Sequence, residues 1–310
     1  MTSIKLDESA SGVFIISATP FTESGALDLE SADRLVDFYI EKGVSGITVL
    51  GMMGEAQKMA PDESEAFLVK ILNRVDGRVQ VVVGVSNAGL DNLVRLSRFS
   101  MDNGAAGVMI APLTGLSTEE KIFNYFAEVF AALGDGVPVC YQDYPFATRS
   151  DISVPLFKRM VSEFEQLVML KHEDWPGLNK ISRVRDSSKD GVRRVSILVG
   201  NGGLYLPQEL ARGADGAMTG FAYPEMLVQV VQMHADGEQD KAEDLFDAYL
   251  PLVRHEQQPG FGLALRKEVL YRRGVIASPT VRAPGPKLNA IDQEELTRLI
   301  ERVERNAKAL

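Results

Sequence analysis

Short runs of aliphatic and β-branched residues recur at a steady interval along the chain, at 13–17, 46–50, 79–83, 107–111, 137–141, 167–171, 196–199 and 216–219. Each run is continuous rather than alternating, the pattern of parallel strands covered on both faces. Between them lie segments with apolar residues at helical spacing, such as Leu29, Ala32, Leu35, Val36, Tyr39 and Ile40, or Ile122, Phe123, Phe126, Val129 and Phe130. Capping signals open several of them: Ser117 before Glu119 and Glu120, and Pro61, Asp62 and Glu63 ahead of Phe67 and Leu68. Gly43, Gly104 and Gly213 close helices that lead into strands. Eight βα units of about 28 residues, from Val13 to about Asp236, have the count and period of a closed α/β architecture, the (β/α)8 TIM barrel. A doubly wound open sheet would more often carry a Gly-rich phosphate turn after its first strand, where this chain has Thr19, Pro20 and Phe21. Beyond Asp236 the pattern turns purely helical, at 241–255, 261–273 and 293–309. The expectation is a barrel bearing the active site over 1–236 and a C-terminal helical extension packed on it over 237–310.

Composition narrows the function classes without choosing one. With 310 residues, 45% of them hydrophobic, there is material for a sizeable core, and disorder and fibre are excluded. A net charge of −10, spread along the chain, argues against a nucleic-acid partner or an anionic membrane, both of which need clustered Lys and Arg. No segment reaches the roughly 18 apolar residues of a membrane span, and the first residues lack a targeting pattern. The single cysteine, Cys140, cannot form an internal disulfide and fits a reducing, cytoplasmic setting. Only three histidines occur, His172, His234 and His255, with no HxH or HExxH spacing, so neither a metal nor any other cofactor is expected. Glu173 and Asp174 could in principle hold Mg2+.

In such a barrel function collects at the C-terminal ends of the strands. Lys171 ends the apolar run of Leu167, Val168, Met169 and Leu170. A buried lysine loses hydration of its ammonium form, which makes the neutral amine that attacks a ketone more accessible. The alternative is that it leans to solvent or pairs with Glu173 or Asp174. After the second strand, Gly51, Met52, Met53, Gly54 and Glu55 form a turn whose backbone N–H groups could converge on a carboxylate, or merely start the next helix. The fifth strand ends in Tyr141, Gln142, Asp143, Tyr144 and Pro145, where a tyrosine could shuttle a proton or simply pack. Gly200, Asn201, Gly202 and Gly203 follow the seventh strand, where such barrels often hold an anion.

Taken in order, these features resemble the dihydrodipicolinate synthase and N-acetylneuraminate lyase family of pyruvate-type aldolases and dehydratases. The likeness runs from Thr19, Pro20 and Phe21 with Gly25 and Asp28, through GMMGE at 51–55, GAAGVMIAP at 104–112 and the Lys171 strand, to the helical tail. It implies a 2-keto acid substrate, a homotetramer or homodimer, and Lys171 as the lysine that forms the Schiff base. The family's carboxylate-binding turn falls on Met52, Met53 and Gly54, its seventh-strand glycine on Gly200, and a backbone contact from the eighth strand on Met218. Glu55 and Asn201 are assigned to orienting loops or substrate hydroxyls.

The departures are as informative. Synthase-like members read Gly-Thr-Thr-Gly-Glu in the turn, so the two methionines remove a hydroxyl relay while leaving backbone donors. Aligning Pro138 and Pro145 puts Gln142 where the family has its catalytic tyrosine. Alternation places 142 and 144 on one side of the strand, so Tyr144 is the expected proton shuttle, with Tyr141 replacing it if the strand bulges. Leu113 or Thr114 stands where some members lend a tyrosine to a neighbouring subunit, and Ala147 replaces the arginine that grips aspartate semialdehyde. The segments VPVCYQDYP, LKHEDWPGLNKIS and GADGAMTG look more like the sugar-acid branch. The implied reaction is imine formation between Lys171 and C2 of a 2-keto-3-deoxy sugar acid, with loss of water or release of pyruvate. The alternatives are 4-hydroxy-tetrahydrodipicolinate synthesis and a barrel that binds keto acids without chemistry.

Overall fold

Every one of the eight apolar runs forms a strand in the computed structural model, which describes residues 4–310. The strands are β1 (Gly12–Ile16), β2 (Gly46–Val49), β3 (Gln80–Gly84), β4 (Gly107–Ile110), β5 (Val139–Asp143), β6 (Leu167–His172), β7 (Ser196–Val199) and β8 (Gly216–Thr219). Each pairs in parallel with the next, and β8 pairs with β1, so the sheet closes as a TIM barrel. The helices are α1 (Leu29–Glu41), α2 (Pro61–Val75), α3 (Leu90–Asp102), α4 (Glu119–Leu133), the short α5 (Pro145–Thr148), α6 (Val154–Glu163), α7 (Leu178–Ser187), α8 (Leu206–Ala211) and α9 (Pro224–Ala235). After them α10 (Gln239–Glu256), α11 (Gly262–Arg272) and α12 (Ala290–Ala307) form the C-terminal helical extension.

Strand alternation sorts the apolar residues into two cores. Phe14, Ile16, Val82, Met109, Cys140, Met169, Leu198 and Met218 fill the barrel, while Val13, Ile47, Val83, Ile110, Tyr141 and Leu170 meet the helices. Leu6 and Ala10 join the inner set, and the Leu6 N–H bonds to the Ala106 carbonyl at 2.9 Å just before β4, so the N-terminal segment covers the end where the strands begin. The caps follow the sequence closely. Glu63 accepts from the Ala60 N–H ahead of α2 at 2.9 Å, but Thr118, not Ser117, caps α4 by accepting from Lys121.

The pairing of β5 with β6 departs from strict register: Val139 lies opposite Leu167, yet Cys140 lies opposite Met169, leaving Val168 as an extra residue. Such a bulge resets which residues face inward. Leu167 and Leu170 both join the outer core, three residues apart, which an unbroken two-residue repeat forbids.

The extension is bound to the β2 turn through buried charge. Lys267 of α11, fully buried, places Nζ 2.5 Å from Glu55 Oε1 and 2.8 Å from the Thr280 carbonyl. Glu55 Oε2 accepts from the Arg282 N–H at 2.9 Å and from Lys58 Nζ at 2.9 Å. Lys267 and Arg282 both lie over the Phe21 ring, at 4.5 and 4.3 Å from its centroid.

Candidate active site

The phase reset in β6 decides the fate of its lysine. Beyond Val168, Met169 and Lys171 share the inward face, and the Lys171 side chain is almost wholly buried at the barrel mouth. Its Nζ lies 3.0 Å from Glu173 Oε2. That same oxygen accepts a hydrogen bond from Gln142 Nε2 at 2.7 Å, across the register that pairs Gln142 with Lys171. The backbone of Glu173 is fixed at both ends: its N–H donates to the Asp143 carbonyl at 2.8 Å, and its carbonyl accepts from Asn201 Nδ2 at 3.1 Å. An amine, a carboxylate and a carboxamide thus converge in a desolvated spot, where charge interactions are strong.

Gly200 serves this carboxylate by what it lacks. A Cβ there would stand 2.2 Å from Glu173 Cγ. Its N–H donates to the His172 carbonyl at 2.9 Å.

The turn after β2 is a single 3-10 turn, Met52–Gly54. The Gly54 N–H is committed to the Gly51 carbonyl at 3.0 Å, and that of Glu55 to Met52 at 3.1 Å. Within Met52–Gly54, the N–H groups of Met52 and Met53 make no hydrogen bond among the described residues. The expectation that Gly54 donates to a carboxylate is corrected accordingly; its carbonyl instead accepts from Thr19 Oγ1 at 2.6 Å, which anchors the turn. Met53 packs on the inner core, and Met52 is 37% exposed. A cavity of about 290 Å³ opens between the ends of β2 and β5, touching Met52, Met109 and Gln142.

Other expected residues fall elsewhere. Tyr141 does not join the site: it faces the helices, its ring 5.0 Å from that of Phe126 and 6.2 Å from that of Phe157. Its phenol is pushed well above the usual range by burial and has no hydrogen-bond partner among the described residues. The bulge does occur, but its extra residue lies in β6, so β5 keeps its alternation and Tyr141 stays outside. Glu55 points away from the mouth into the Lys267 and Arg282 cluster, so it orients the turn and does not reach a substrate. Tyr144, half-buried at the start of α5, has its pKa raised by burial and then by the negative charge of Glu173, so at neutral pH it is a hydrogen-bond donor. Met218 lies deeper, its Sδ 4.0 Å from Cys140 Sγ.

Glu173 is the residue whose catalytic role sequence reasoning passed over, treating it as a partner that could neutralise Lys171 or, with Asp174, as a holder of Mg2+. The signal was present: residues 171 and 173 share a face in any extended segment, and an acid two places after a strand-end lysine meets that lysine's amine.

The comparisons with known proteins show the family. The family model described as "Dihydrodipicolinate synthetase family" matches residues 9–303. The L-2-keto-3-deoxyarabonate dehydratase of Azospirillum brasilense is 32% identical over 297 residues, 94% of each chain. A 4-hydroxy-tetrahydrodipicolinate synthase of Methanococcus maripaludis is 28% identical over 246 residues, 78% of this chain and 82% of its own. Among solved structures, the dihydrodipicolinate synthase of Rhodopseudomonas palustris superposes with a TM-score of 0.95 at 48% identity, covering 97% of this chain and 100% of the other. With a lysine and a carboxylate meeting at the barrel mouth and a family match along nearly its whole length, this chain belongs to the dihydrodipicolinate synthetase family.

Proposed function

We propose that this lyase forms a Schiff base through Lys171 and dehydrates a 2-keto-3-deoxy sugar acid. The observation that carries the proposal is the buried contact of Lys171 Nζ with Glu173 at 3.0 Å, with Gln142 orienting the same carboxylate. Similarity to L-2-keto-3-deoxyarabonate dehydratase over 94% of the chain supports the substrate class.

Proton transfer from the Lys171 ammonium to Glu173 frees the amine, which adds to the C2 carbonyl; Glu173 then returns the proton to the carbinolamine hydroxyl, which leaves as water and gives the protonated imine. The substrate carboxylate lies against the N–H groups of Met52 and Met53. Glu173, as carboxylate, takes a proton from C3 and leaves an enamine. The enamine pushes out the C4 hydroxyl, which departs as water with a proton from Glu173 or the Tyr144 phenol. Moving a proton from C5 to C3 turns the new C3–C4 double bond into an enol that becomes the C5 aldehyde, and hydrolysis of the imine returns Lys171, so the net change is loss of one water. Glu173 takes over the proton transfer that a tyrosine at position 142 would perform, and Asn201 holds its main chain in place.

A synthase reading is weaker on one residue: Ala147 offers no charge for a second carboxylate. The proposal extends to a homotetramer or homodimer in the cytoplasm. The exposed Trp175 and Tyr205, stacked edge to face at 5.3 Å near the mouth, suit a subunit contact.

Incubation with pyruvate and borohydride, followed by mass spectrometry, tests the first step: a stable adduct on Lys171 is expected, and its absence with every keto acid tried sinks the reading. A panel of 2-keto-3-deoxy acids, scored for a semialdehyde against released pyruvate, separates dehydratase from aldolase.

A further inference from the structure

The outward side of the same strand ends carries a second set of charges that the proposed chemistry does not use. One residue beyond the Gln142–Lys171 pair, Asp143 lies opposite His172. Both side chains are sealed under the helical layer. Lys180, in the first turn of α7, reaches down to them: its Nζ is 2.8 Å from Asp143 Oδ2 and 3.1 Å from Asp174 Oδ2, with the exposed Asp151 at 3.8 Å. His172 Nδ1 stands 3.6 Å from the same Asp143 oxygen, and its Nε2 is 3.2 Å from the Gly177 carbonyl. Burial works against the Lys180 ammonium, but Asp143 and Asp174 outweigh it and keep its pKa raised.

Stability is a poor reason for this arrangement. A cation in the first turn of a helix opposes the helix dipole, and buried ion pairs often gain little over apolar packing. Position is the better reason. Asp143 accepts the Glu173 N–H through its carbonyl, and Asp174 is the next residue of the chain after Glu173.

We infer that Lys180, by clamping Asp143 to Asp174 across the β5 and β6 ends, is a positioning residue that holds the Glu173 carboxylate against Lys171. The inference rests on the reading of Glu173 as the proton-transfer group. Lys180 touches no substrate; it keeps the segment from 173 to 177 from swinging outward, where Glu173 would leave the amine.

The test uses the full-length protein with pyruvate as probe. The paired variant Asp143→Asn with Lys180→Met removes both charges together, so neither is left buried alone. Two readouts are compared: borohydride trapping of the Lys171 adduct, and exchange of the pyruvate methyl protons with D2O followed by NMR, which reports C3 proton removal. The variant is expected to reach the wild-type yield of trapped adduct on long incubation, since solvent can slowly accept the Lys171 proton in place of Glu173, while exchange slows about 10- to 100-fold, the cost of a small misplacement of a reacting group. Exchange at the wild-type rate, or end-point adduct and exchange lost in equal measure, overturns the inference. Should the paired variant not fold, Asp174→Asn gives the same split on a smaller scale, and equal behaviour to wild type there overturns it as well. A wild-type protein that traps pyruvate but exchanges no protons strikes the Glu173 reading first, and the Lys180 inference falls with it.

Discussion

Gly200 gives the sharpest probe of the site. Gly200→Ala aims a methyl group at Glu173 Cγ, which must shift to make room. The expected result is a folded protein, somewhat lower in melting temperature, with turnover reduced about 100-fold, measured as kcat on the best keto acid of the panel. Glu173→Gln should keep the carbonyl partner of Gln142's position filled yet lose proton transfer, with kcat down about 10²- to 10⁴-fold. Tyr141→Phe is the control: its hydroxyl lies buried among aromatic rings without a partner, so activity should persist and stability stay level or rise by up to about 1 kcal/mol, read from denaturant unfolding. The sequence showed Lys171 because a lysine ending an apolar run is conspicuous. It did not show which tyrosine faces inward, since side-chain direction depends on strand pairing, and it hid Glu173 within the charged run His172, Glu173 and Asp174.

The eight strands and most helices were legible because continuous apolar runs and 3.6-residue repeats carry them. The helix expected at 241–255 is α10 at Gln239–Glu256, and that expected at 261–273 is α11 at Gly262–Arg272. The fifth strand shifted by two residues, from 137–141 to Val139–Asp143, so Gln142 and Asp143, expected at its end, lie within the paired sheet. The bulge at Val168 left no trace in the sequence, because no glycine or proline marks it and only the partner strand defines it. At this scale the buried pair between the β2 turn and α11 is the contact to break. Lys267→Met leaves the Glu55 carboxylate buried with fewer donors, and the expected cost is about 3–5 kcal/mol in denaturant unfolding. Substrate KM should rise with it, since Glu55 orients the turn that carries the free Met52 and Met53 donors.

For the whole molecule, acidity carries a consequence at one buried point. Glu209 of α8 is sealed from solvent with one carboxylate oxygen unpartnered among the described residues, and burial pushes its pKa up to about 8. A carboxyl raised in the native state keeps its proton there while the unfolded chain gives it up. Its contribution is therefore fully present below about pH 4.5 and is lost as the pH climbs toward 8. Wild type should lose a few kcal/mol of stability between pH 5 and 8 from this group. Glu209→Gln should flatten that decline, and melting curves that fall in parallel for both proteins would remove Glu209 as the cause. The Glu55 cluster reaches further still, because it joins position 55 to positions 267 and 282. During synthesis the second βα unit emerges long before its partners, so the turn that offers Met52 and Met53 cannot take its final shape until Arg282 has cleared the ribosome. About nine-tenths of the 310-residue chain can be made and the barrel strands paired while the substrate site is still unfinished, and the newborn enzyme turns on only when Arg282 arrives.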